Sequence, residues 1–311
     1  MKIALYTVTY NGLFYKGGFV PVKDCISRAA EFGFDGIEIE AKRPHGSPLD
    51  LDARGRAELR DFAQAKGIEI PALAAYNNFT SPVMIQRENE LLMLREVIRL
   101  ANDLGAKIVR IFAAWQGWTL RGGYGTYDMV LKYDYPDVTR LEKWNWCKQC
   151  IKESAKFAED MDIILAFQNH SPLIECYQDM LDMVNEVGSD HVKCCLDVPL
   201  LKSRDDEYVA QAIRDTGDLQ VHSHFSGEYE KGPNGEIVSR VIHTVVSSGP
   251  LIRPRNYPIG VKTLKEIGYN GYLSFELCHP FMPRNHEFGS LADVDEVVKC
   301  AQVYMRKLIQ G

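Results

Sequence analysis

Asp162-Ile-Ile-Leu-Ala-Phe-Gln-Asn-His-Ser171 is a short apolar run that ends abruptly in side chains able to bind metals or move protons. A run this rich in Ile and Leu reads as a strand buried on both faces, as strands of parallel sheets are. Side chains alternate along a strand, so Gln168 and His170 share one face and Asn169 points to the other. The same pattern returns at Val192-Lys-Cys-Cys-Leu-Asp197, at Leu219-Gln-Val-His-Ser-His224 and at Gly271-Tyr-Leu-Ser-Phe-Glu276. Each of these strands delivers a metal-type ligand where it stops.

Working outward, the chain alternates apolar strands with amphipathic helices from end to end. Strands are predicted at Ile3 to Thr7, Gly36 to Glu40, Glu69 to Ala75, Ile108 to Ala114, Ile163 to Gln168, Lys193 to Asp197, Leu219 to His224 and Tyr272 to Leu277. Helices fall between them, several stopped by a glycine such as Gly33, Gly67, Gly105 or Gly268, which supplies the left-handed residue of a C-terminal cap. Strict alternation demands a parallel sheet, and eight units suit a closed (β/α)8 TIM barrel of the α/β class; an open doubly wound sheet is the alternative. No linker or compositional break divides residues 1 to 311, so a single domain is expected. Two strand-to-helix loops are long, 115 to 139 and 226 to 256, and in a barrel such loops rise over the C-terminal mouth where active sites are built.

The 311 residues are 46% hydrophobic and 25% charged, with a net charge of −6, which describes an ordinary globular protein. Lys and Arg are dispersed among acids, so nucleic acid is not expected as a partner. No apolar run approaches membrane-spanning length and the first residues form a strand rather than a secretory signal, so a cytoplasmic protein with no membrane partner is expected. Eight cysteines are too sparse for a disulfide scaffold. Cys147 and Cys150 form a C-x-x-C within a helical stretch and lack a second pair, which favours packing over metal or redox chemistry.

Gln168, Asp197, His224 and Glu276 end consecutive strands and are therefore adjacent at the mouth of a barrel. One imidazole, two carboxylates and an amide oxygen suit Mn²⁺, Mg²⁺, Co²⁺ or Fe²⁺ and accept Zn²⁺. Such an ion polarises a carbonyl and eases removal of the neighbouring proton. A buried Gln or His is commonly just a hydrogen-bonded core residue, but four strands in a row ending in uncompensated polar groups at the functional face favour the site. His222 competes with His224 as ligand; His224 is nearer the mouth, leaving His222 one layer deeper. His170 is the candidate general base, the alternative being a structural histidine bonded to a loop carbonyl. Glu38 and Glu40 share a face at the end of the second strand, near Lys42, Arg43 and His45, either to meet substrate hydroxyls or as a solvated strand end. Glu38, His222, Trp115 and Glu228 are the candidate substrate contacts. The loop after the fourth strand carries Trp115, Trp118, Tyr124, Tyr127, Tyr133 and Tyr135, either as an aromatic cover for substrate or as packing onto the barrel.

Phe32-Gly-Phe-Asp-Gly-Ile-Glu38, Leu196-Asp197, His224-Phe-Ser-Gly-Glu228 and Gly268-Tyr-Asn-Gly-Tyr-Leu-Ser-Phe-Glu276 together resemble the sugar phosphate isomerase/epimerase family of xylose isomerase-like barrels, over nearly the whole chain. The resemblance implies a metal-dependent enzyme, Mn²⁺ by preference, whose ligands in the ketose epimerases are Glu, Asp, His and Glu. Asp197, His224 and Glu276 match the last three, and Gln168 stands where the first glutamate would be. In those epimerases the first and last glutamates also act as opposed acid and base. Glu276 inherits that catalytic role, but an amide at 168 cannot carry a proton, and Leu200 replaces a usual histidine. A single-base reaction through His170 on a keto-sugar or oxidised (3-keto) glycoside is therefore expected, isomerisation or epimerisation first. The large subunits of bacterial C-glycoside deglycosidases are more loosely similar, on Lys42-Arg-Pro-His-Gly-Ser-Pro-Leu49 and Val221-His-Ser-His-Phe-Ser-Gly-Glu228, and imply a carbon-carbon lyase acting by elimination. A homo-oligomer, or a hetero-oligomer with a small subunit, follows from the same relatives. A metal-dependent apurinic-site nuclease and a non-catalytic sugar-binding subunit complete the alternatives.

Overall fold

The computed structural model describes residues 1–121, 123–126, 135, 137–240, 256–283 and 287–311. Its strands are β1 (Lys2–Tyr6), β2 (Gly36–Glu40), β3 (Ala72–Ala74), β4 (Ile108–Ile111), β5 (Thr119–Arg121), β6 (Tyr124–Thr126), β7 (Ile164–Gln168), β8 (Val192–Cys195), β9 (Gln220–Ser226), β10 (Tyr229–Lys231), β11 (Ile237–Ser239) and β12 (Tyr272–Glu276). Eight of them pair side by side in the closed order β1-β12-β9-β8-β7-β4-β3-β2, each pairing parallel. Closure excludes the open doubly wound sheet. The helices α1 (Val22–Glu31), α2 (Ala53–Ala65), α3 (Met84–Leu104), α4 (Arg140–Asp160), α5 (Tyr177–Val187), α6 (Asp206–Thr216), α7 (Tyr257–Glu266) and α8 (Leu291–Gln310) fill the intervals between barrel strands. Capping follows the sequence: Thr139 and Glu142 form a capping box at the start of α4, and Gly105 ends α3 with φ +77°.

Three strands are shorter than the apolar runs suggest, and two amide side chains explain why. The β3–β4 ladder stops after Ala74 and Arg110, and Asn77 takes over, accepting from the Phe112 N–H at 3.1 Å and donating to the Phe112 carbonyl. Asn169 does the same past the end of β8, accepting from the Asp197 N–H at 2.8 Å and donating to its carbonyl at 3.3 Å. Between β8 and β9 the register slips, Cys194 facing Gln220 but Cys195 facing His222, which leaves Val221 as an extra residue. The Gln220 side chain fills that defect, bonding both the N–H and carbonyl of Leu196 and the carbonyl of His222. The slip turns His222 and His224 to the same face as Cys195 and Asp197.

Glycine is required at Gly36, where β2 enters the barrel: a Cβ there would lie 2.8 Å from the Tyr272 ring and 2.9 Å from the Glu69 carbonyl. Each long mouth loop carries a two-stranded antiparallel hairpin, β5–β6 in the first and β10–β11 in the second, which the strand pattern of the sequence does not anticipate. Cys147 and Cys150 are buried in α4. Cys147 donates to the Ala113 carbonyl at 3.4 Å, and burial pushes the Cys150 thiol up to about 11, so both are packing groups. Among the described residues no helix is long and apolar enough to cross a membrane.

Candidate active site

The interior of a closed barrel is ordinarily filled by branched apolar side chains. Here it is polar. Tyr6, Glu38, Arg110, Gln168, Asp197, His222, His224 and Ser274 come from seven barrel strands and their ends, and each is at most 3% exposed. The alternation of strands puts them there: Glu38 on β2, Arg110 on β4, Gln168 ending β7, and the two histidines on β9 all fall on inward positions.

Glu38 anchors the cluster. His222 Nε2 and His224 Nε2 both lie 2.8 Å from its Oε2, on the far side of the barrel from their own strand. Burial drives the Glu38 carboxyl up, but His224 and then His222 more than reverse this and hold it well below the usual carboxylate range. The second nitrogen of His224, Nδ1, faces Asp197 Oδ2 at 3.0 Å, and the His224 backbone N–H donates to Asp197 Oδ1 at 2.8 Å. With a carboxylate on each ring nitrogen, His224 titrates well above an ordinary histidine although burial opposes this. Asp197 is correspondingly lowered against its own burial, by the charge and hydrogen bonds of His224 and by Gln168. A carboxylate on Nε2 is the arrangement that orients a metal-ligating imidazole, and it turns Nδ1 to Asp197, where an ion would take the place of the shared proton.

Gln168 donates its amide to Asp197 Oδ2 and sits 3.4 Å from His224 Nδ1. Its oxygen is turned the other way, accepting from the Arg110 guanidinium at 3.3 Å. Arg110 in turn donates to the Tyr6 hydroxyl at 2.6 Å, and its Nε stands 3.8 Å from Glu38 Oε1. From Tyr6 the chain continues to the Tyr76 hydroxyl at 2.5 Å, to Glu40 Oε1 at 2.6 Å, and through Glu40 Oε2 to His45 Nδ1 at 2.8 Å. Glu38 and Glu40 thus share an inward face as expected, but neither is a solvated strand end; both are fully buried.

Three of the four expected ligands, Gln168, Asp197 and His224, meet at one point. Glu276 is near enough for its carboxyl to feel His224 and Asp197, and burial holds it above the usual carboxylate range. Its oxygens belong to neither compact donor group that the described residues form, which are Glu38–His222–His224 and Cys195–Asp197–His224, the ligand atoms of each lying within 4.8 Å of one another. The residues fit a divalent ion at the upper group. The 3.0 Å between Asp197 Oδ2 and His224 Nδ1 is close to the separation, roughly 3.0 to 3.4 Å, of two ligands each about 2.1 Å from one ion.

His222 lies a layer below His224, as its position two residues earlier requires, and its Nδ1 and Glu38 Oε1 have no hydrogen-bond partner among the described residues. His170 sits outside the cluster, its ring edge-on to Phe112 at 5.0 Å and to Trp115 at 5.1 Å. Its Nδ1 meets the Ser171 carbonyl, which can only accept, so Nδ1 carries the hydrogen and Nε2 holds the basic lone pair. Burial, outweighing the Ser171 bond, brings His170 down to about 4, so the ring is unprotonated at neutral pH. The loop-carbonyl bond of the structural alternative is present, and it leaves Nε2 as the nitrogen without a proton.

Trp115 is part of an aromatic shelf: stacked on Phe112 at 5.0 Å, edge-on to Trp118 at 5.5 Å and to Tyr76 at 5.7 Å. Lys42 lies 4.3 Å over Trp118 and pairs with Glu40 at 3.2 Å. Tyr135 hydrogen-bonds Gln86 at 3.0 Å, away from the shelf; Tyr127, Tyr133 and the side chain of Tyr124 lie outside the described residues. Glu228 is 2% exposed and committed to Arg240 and to His279 at 3.2 Å, where it ties the β10–β11 hairpin to the β12–α8 loop. Arg110, Tyr6, Tyr76 and Cys195 are the residues the sequence reading does not single out. Arg110 had a signal, a lone cation in the apolar strand Ile108-Val-Arg-Ile111, and Cys195 shares the face of Asp197 two residues on.

Residues 26–294 match the family model described as the xylose isomerase-like TIM barrel. The chain is 24% identical over 228 residues to the D-psicose 3-epimerase of Enterocloster bolteae, covering 72% of this chain and 70% of that one. In fold it is similar to the D-psicose 3-epimerase of Clostridium cellulolyticum H10 solved with D-tagatose (TM-score 0.70, 20% identity, 99% of each chain). It is also similar to the 3-keto-D-glucoside 4-epimerase of E. coli (TM-score 0.67, 14% identity, 100% of each chain). A third, the IOLI protein solved with a bound zinc atom, aligns over 100% of this chain and 98% of that one at TM-score 0.70 and 17% identity.

Proposed function

The chain belongs to the xylose isomerase-like TIM barrel family, and on that premise we propose that it is a sugar isomerase or epimerase acting on a keto-sugar or 3-keto-glycoside. The observation that carries this reading is the buried Asp197–His224 pair at the barrel mouth, with its outer nitrogen Nδ1 oriented by Glu38. Asp197 and His224, with Glu276 completing the set and the Gln168 amide bracing the Asp197 carboxylate, would hold a divalent ion, Mn²⁺ in the first instance and zinc as in the IOLI protein otherwise. When bound, that ion supplies positive charge to polarise the substrate carbonyl.

The chain's own residues do the rest. His170 Nε2 takes the proton from the carbon beside the carbonyl, and the Ser171 carbonyl holds the resulting imidazolium through Nδ1. Trp115 and Phe112 offer the substrate an apolar wall next to that nitrogen. Glu276, the second carboxyl close to Asp197 and His224, would return hydrogen to the substrate on the face away from His170 when it is not bound to the ion. Gln168 cannot replace it, since an amide has no proton to give at neutral pH. Glu38 and His222 support His224 from below, while Glu228, tied to Arg240 and His279, shapes the mouth.

The neutral residue at 168 also favours a second reading, elimination of a group β to the carbonyl by a lyase that pairs with a small subunit. That reaction needs one base and no opposed second carboxylate. Either way the enzyme is expected in the cytoplasm. Incubation of the manganese-loaded protein with D-psicose and with 3-keto-D-glucose glycosides in D₂O should place deuterium beside the carbonyl, detected by NMR. Chelator should abolish it and Mn²⁺ restore it. Full exchange in a metal-free preparation, or none with any of these substrates, defeats the reading.

A further inference from the structure

Cys195 is a buried thiol that the reading above does not use. It is fully buried, yet its surroundings are not those of a packing cysteine. Its Sγ donates to Asp197 Oδ1 at 3.4 Å and stands 3.8 Å from His224 Nδ1, the nitrogen that faces Asp197 while Glu38 holds the other. Gln168, the residue expected at the fourth position, turns its oxygen to Arg110 and presents its amide nitrogen, which has no lone pair to donate. One carboxylate, one imidazole nitrogen and one sulfur therefore face a common point.

The spacing can be tested against coordination geometry. A tetrahedral ion with sulfur at about 2.3 Å and nitrogen or oxygen at about 2.0 to 2.2 Å sets its ligands roughly 3.4 Å apart for N and O and roughly 3.6 Å apart for S and either. His224 Nδ1 stands 3.0 Å from Asp197 Oδ2 and 3.8 Å from Cys195 Sγ, and Sγ stands 3.4 Å from Asp197 Oδ1, so the carboxylate turns one oxygen to each neighbour and every pair lies within about 0.4 Å of those values. Resting on the proposal that Asp197 and His224 hold an ion, we propose that Cys195 is a third protein ligand, so that the site is a Cys–Asp–His centre selective for a thiophilic divalent ion such as zinc or cobalt. The thiol proton leaves to solvent as the sulfur–metal bond forms. Oxygen-seeking ions such as Mn²⁺ and Mg²⁺ gain little from the sulfur and bind through Asp197, His224 and Glu276 instead. Gln168 then serves the ion indirectly, its amide fixing the Asp197 carboxylate.

The test loads the full-length protein with Co²⁺ and reads the near-ultraviolet thiolate-to-cobalt charge-transfer band. The wild type should show it, Cys195→Ser should lose it, and Cys278→Ser, which removes the other thiol near the site, should keep it. Zinc affinity by competition titration should fall about ten- to a hundredfold in Cys195→Ser, while Mn²⁺ affinity changes by less than about threefold. X-ray absorption on the zinc-loaded wild type needs no variant and should find a sulfur at about 2.3 Å. Bound metal with no sulfur neighbour, or a band that survives Cys195→Ser, overturns the Cys195 assignment and leaves the sugar-enzyme reading intact. A wild type that binds neither Co²⁺ nor Zn²⁺ overturns the Cys195 assignment, and one that binds no Mn²⁺ either overturns both.

Discussion

Replacing Gln168 by glutamate restores the residue expected of a ketose epimerase, and the structure says what that costs without an ion. The new carboxylate would stand at hydrogen-bond distance from Asp197, where Gln168 now donates. Two unit charges about 3 Å apart repel by roughly 5 kcal/mol at an effective dielectric of 20. Arg110, already bonded to the Gln168 oxygen at 3.3 Å, and the His224 ring, 3.4 Å from the Gln168 amide nitrogen, each return about 5 kcal/mol, while taking the new carboxylate out of water costs about 5 kcal/mol. The lost N–H donation to an ionised acceptor removes a further ~2 kcal/mol. The balance is a destabilisation of about 2 kcal/mol, or roughly 4 to 8 °C in melting temperature for a domain of this size. Because the protonated acid can still donate to Asp197 and the carboxylate cannot, the new group titrates roughly one and a half units above an unfolded glutamate, so the penalty grows as pH rises from about 4 to 6 and is nearly absent at the acid end. Saturating Mn²⁺ neutralises the pair, so the ion should raise the melting temperature of Gln168→Glu more than that of the wild type. Thermal melts by circular dichroism at pH 5 and 7.5, with chelator and with Mn²⁺, read all of this. A variant that melts with the wild type at pH 7.5 in chelator, or an equal Mn²⁺ gain in both proteins, would refute the arrangement of charges described here.

His170 falls to about 4, so proton abstraction should keep most of its rate at pH 5, where a base of ordinary pKa near 6.5 would retain only about 3% of its neutral form; an acid limb of kcat/KM near 6.5 would exclude this His170 as the base. His170→Ala should suppress turnover with metal content unchanged by mass spectrometric analysis, and parallel loss of metal would make it a ligand instead. Asn169→Asp removes the donor to the Asp197 carbonyl and should cost about 1 to 3 kcal/mol in denaturant melts while weakening metal binding in calorimetric titrations; unchanged affinity would mean that Asp197 is held without it. Burial pushes the Glu90 carboxyl on α3 up to about 7, so ionising it in the folded state is unfavourable and stability is lost as pH climbs from about 4.5 to 7. Glu90→Gln should flatten that decline, and identical pH–stability curves would show that the carboxyl ionises freely.

How far the sequence can be read depends on which interactions are local. Gly36 to Glu40 is found as a strand with the predicted bounds, a short run buried throughout as strands of a parallel barrel are, although the need for glycine at its start comes from the distant Tyr272 and Glu69. The ends of β3, β4 and β8 are misread because Asn77 and Asn169 imitate ladder bonds with side chains, and an amide's partner across the barrel leaves no trace in the spacing. Gln168, Asp197 and His224 are legible as strand-end residues, since strands of one parallel barrel must finish on the same face. Glu228 shows the limit of that argument: it follows β9 into the mouth, yet Arg240 and His279 capture it. Arg110 is the larger omission, a charge whose only role visible in the sequence is to interrupt an apolar run.

That charge is what makes the polar interior self-consistent. An isolated carboxylate at the position of Glu38 would be severely penalised by burial, and it is tolerated because two imidazoles donate to one oxygen while Arg110 stands 3.8 Å from the other. Arg110 is tolerated in turn because Tyr6 and Gln168 accept from it. Removing any member leaves the next one buried without a partner, so the layer is kept or lost as a unit. Its upper members are the very atoms that face the mouth: Glu38 decides which nitrogen of His224 is presented, and Arg110 decides which end of the Gln168 amide is presented. An apolar layer of the same volume would fill the barrel equally well and would leave both choices open. The barrel floor therefore selects the ligand atoms above it, and a change of metal or substrate preference in this chain must begin with Glu38 or Arg110 as much as with the residues that touch the ion.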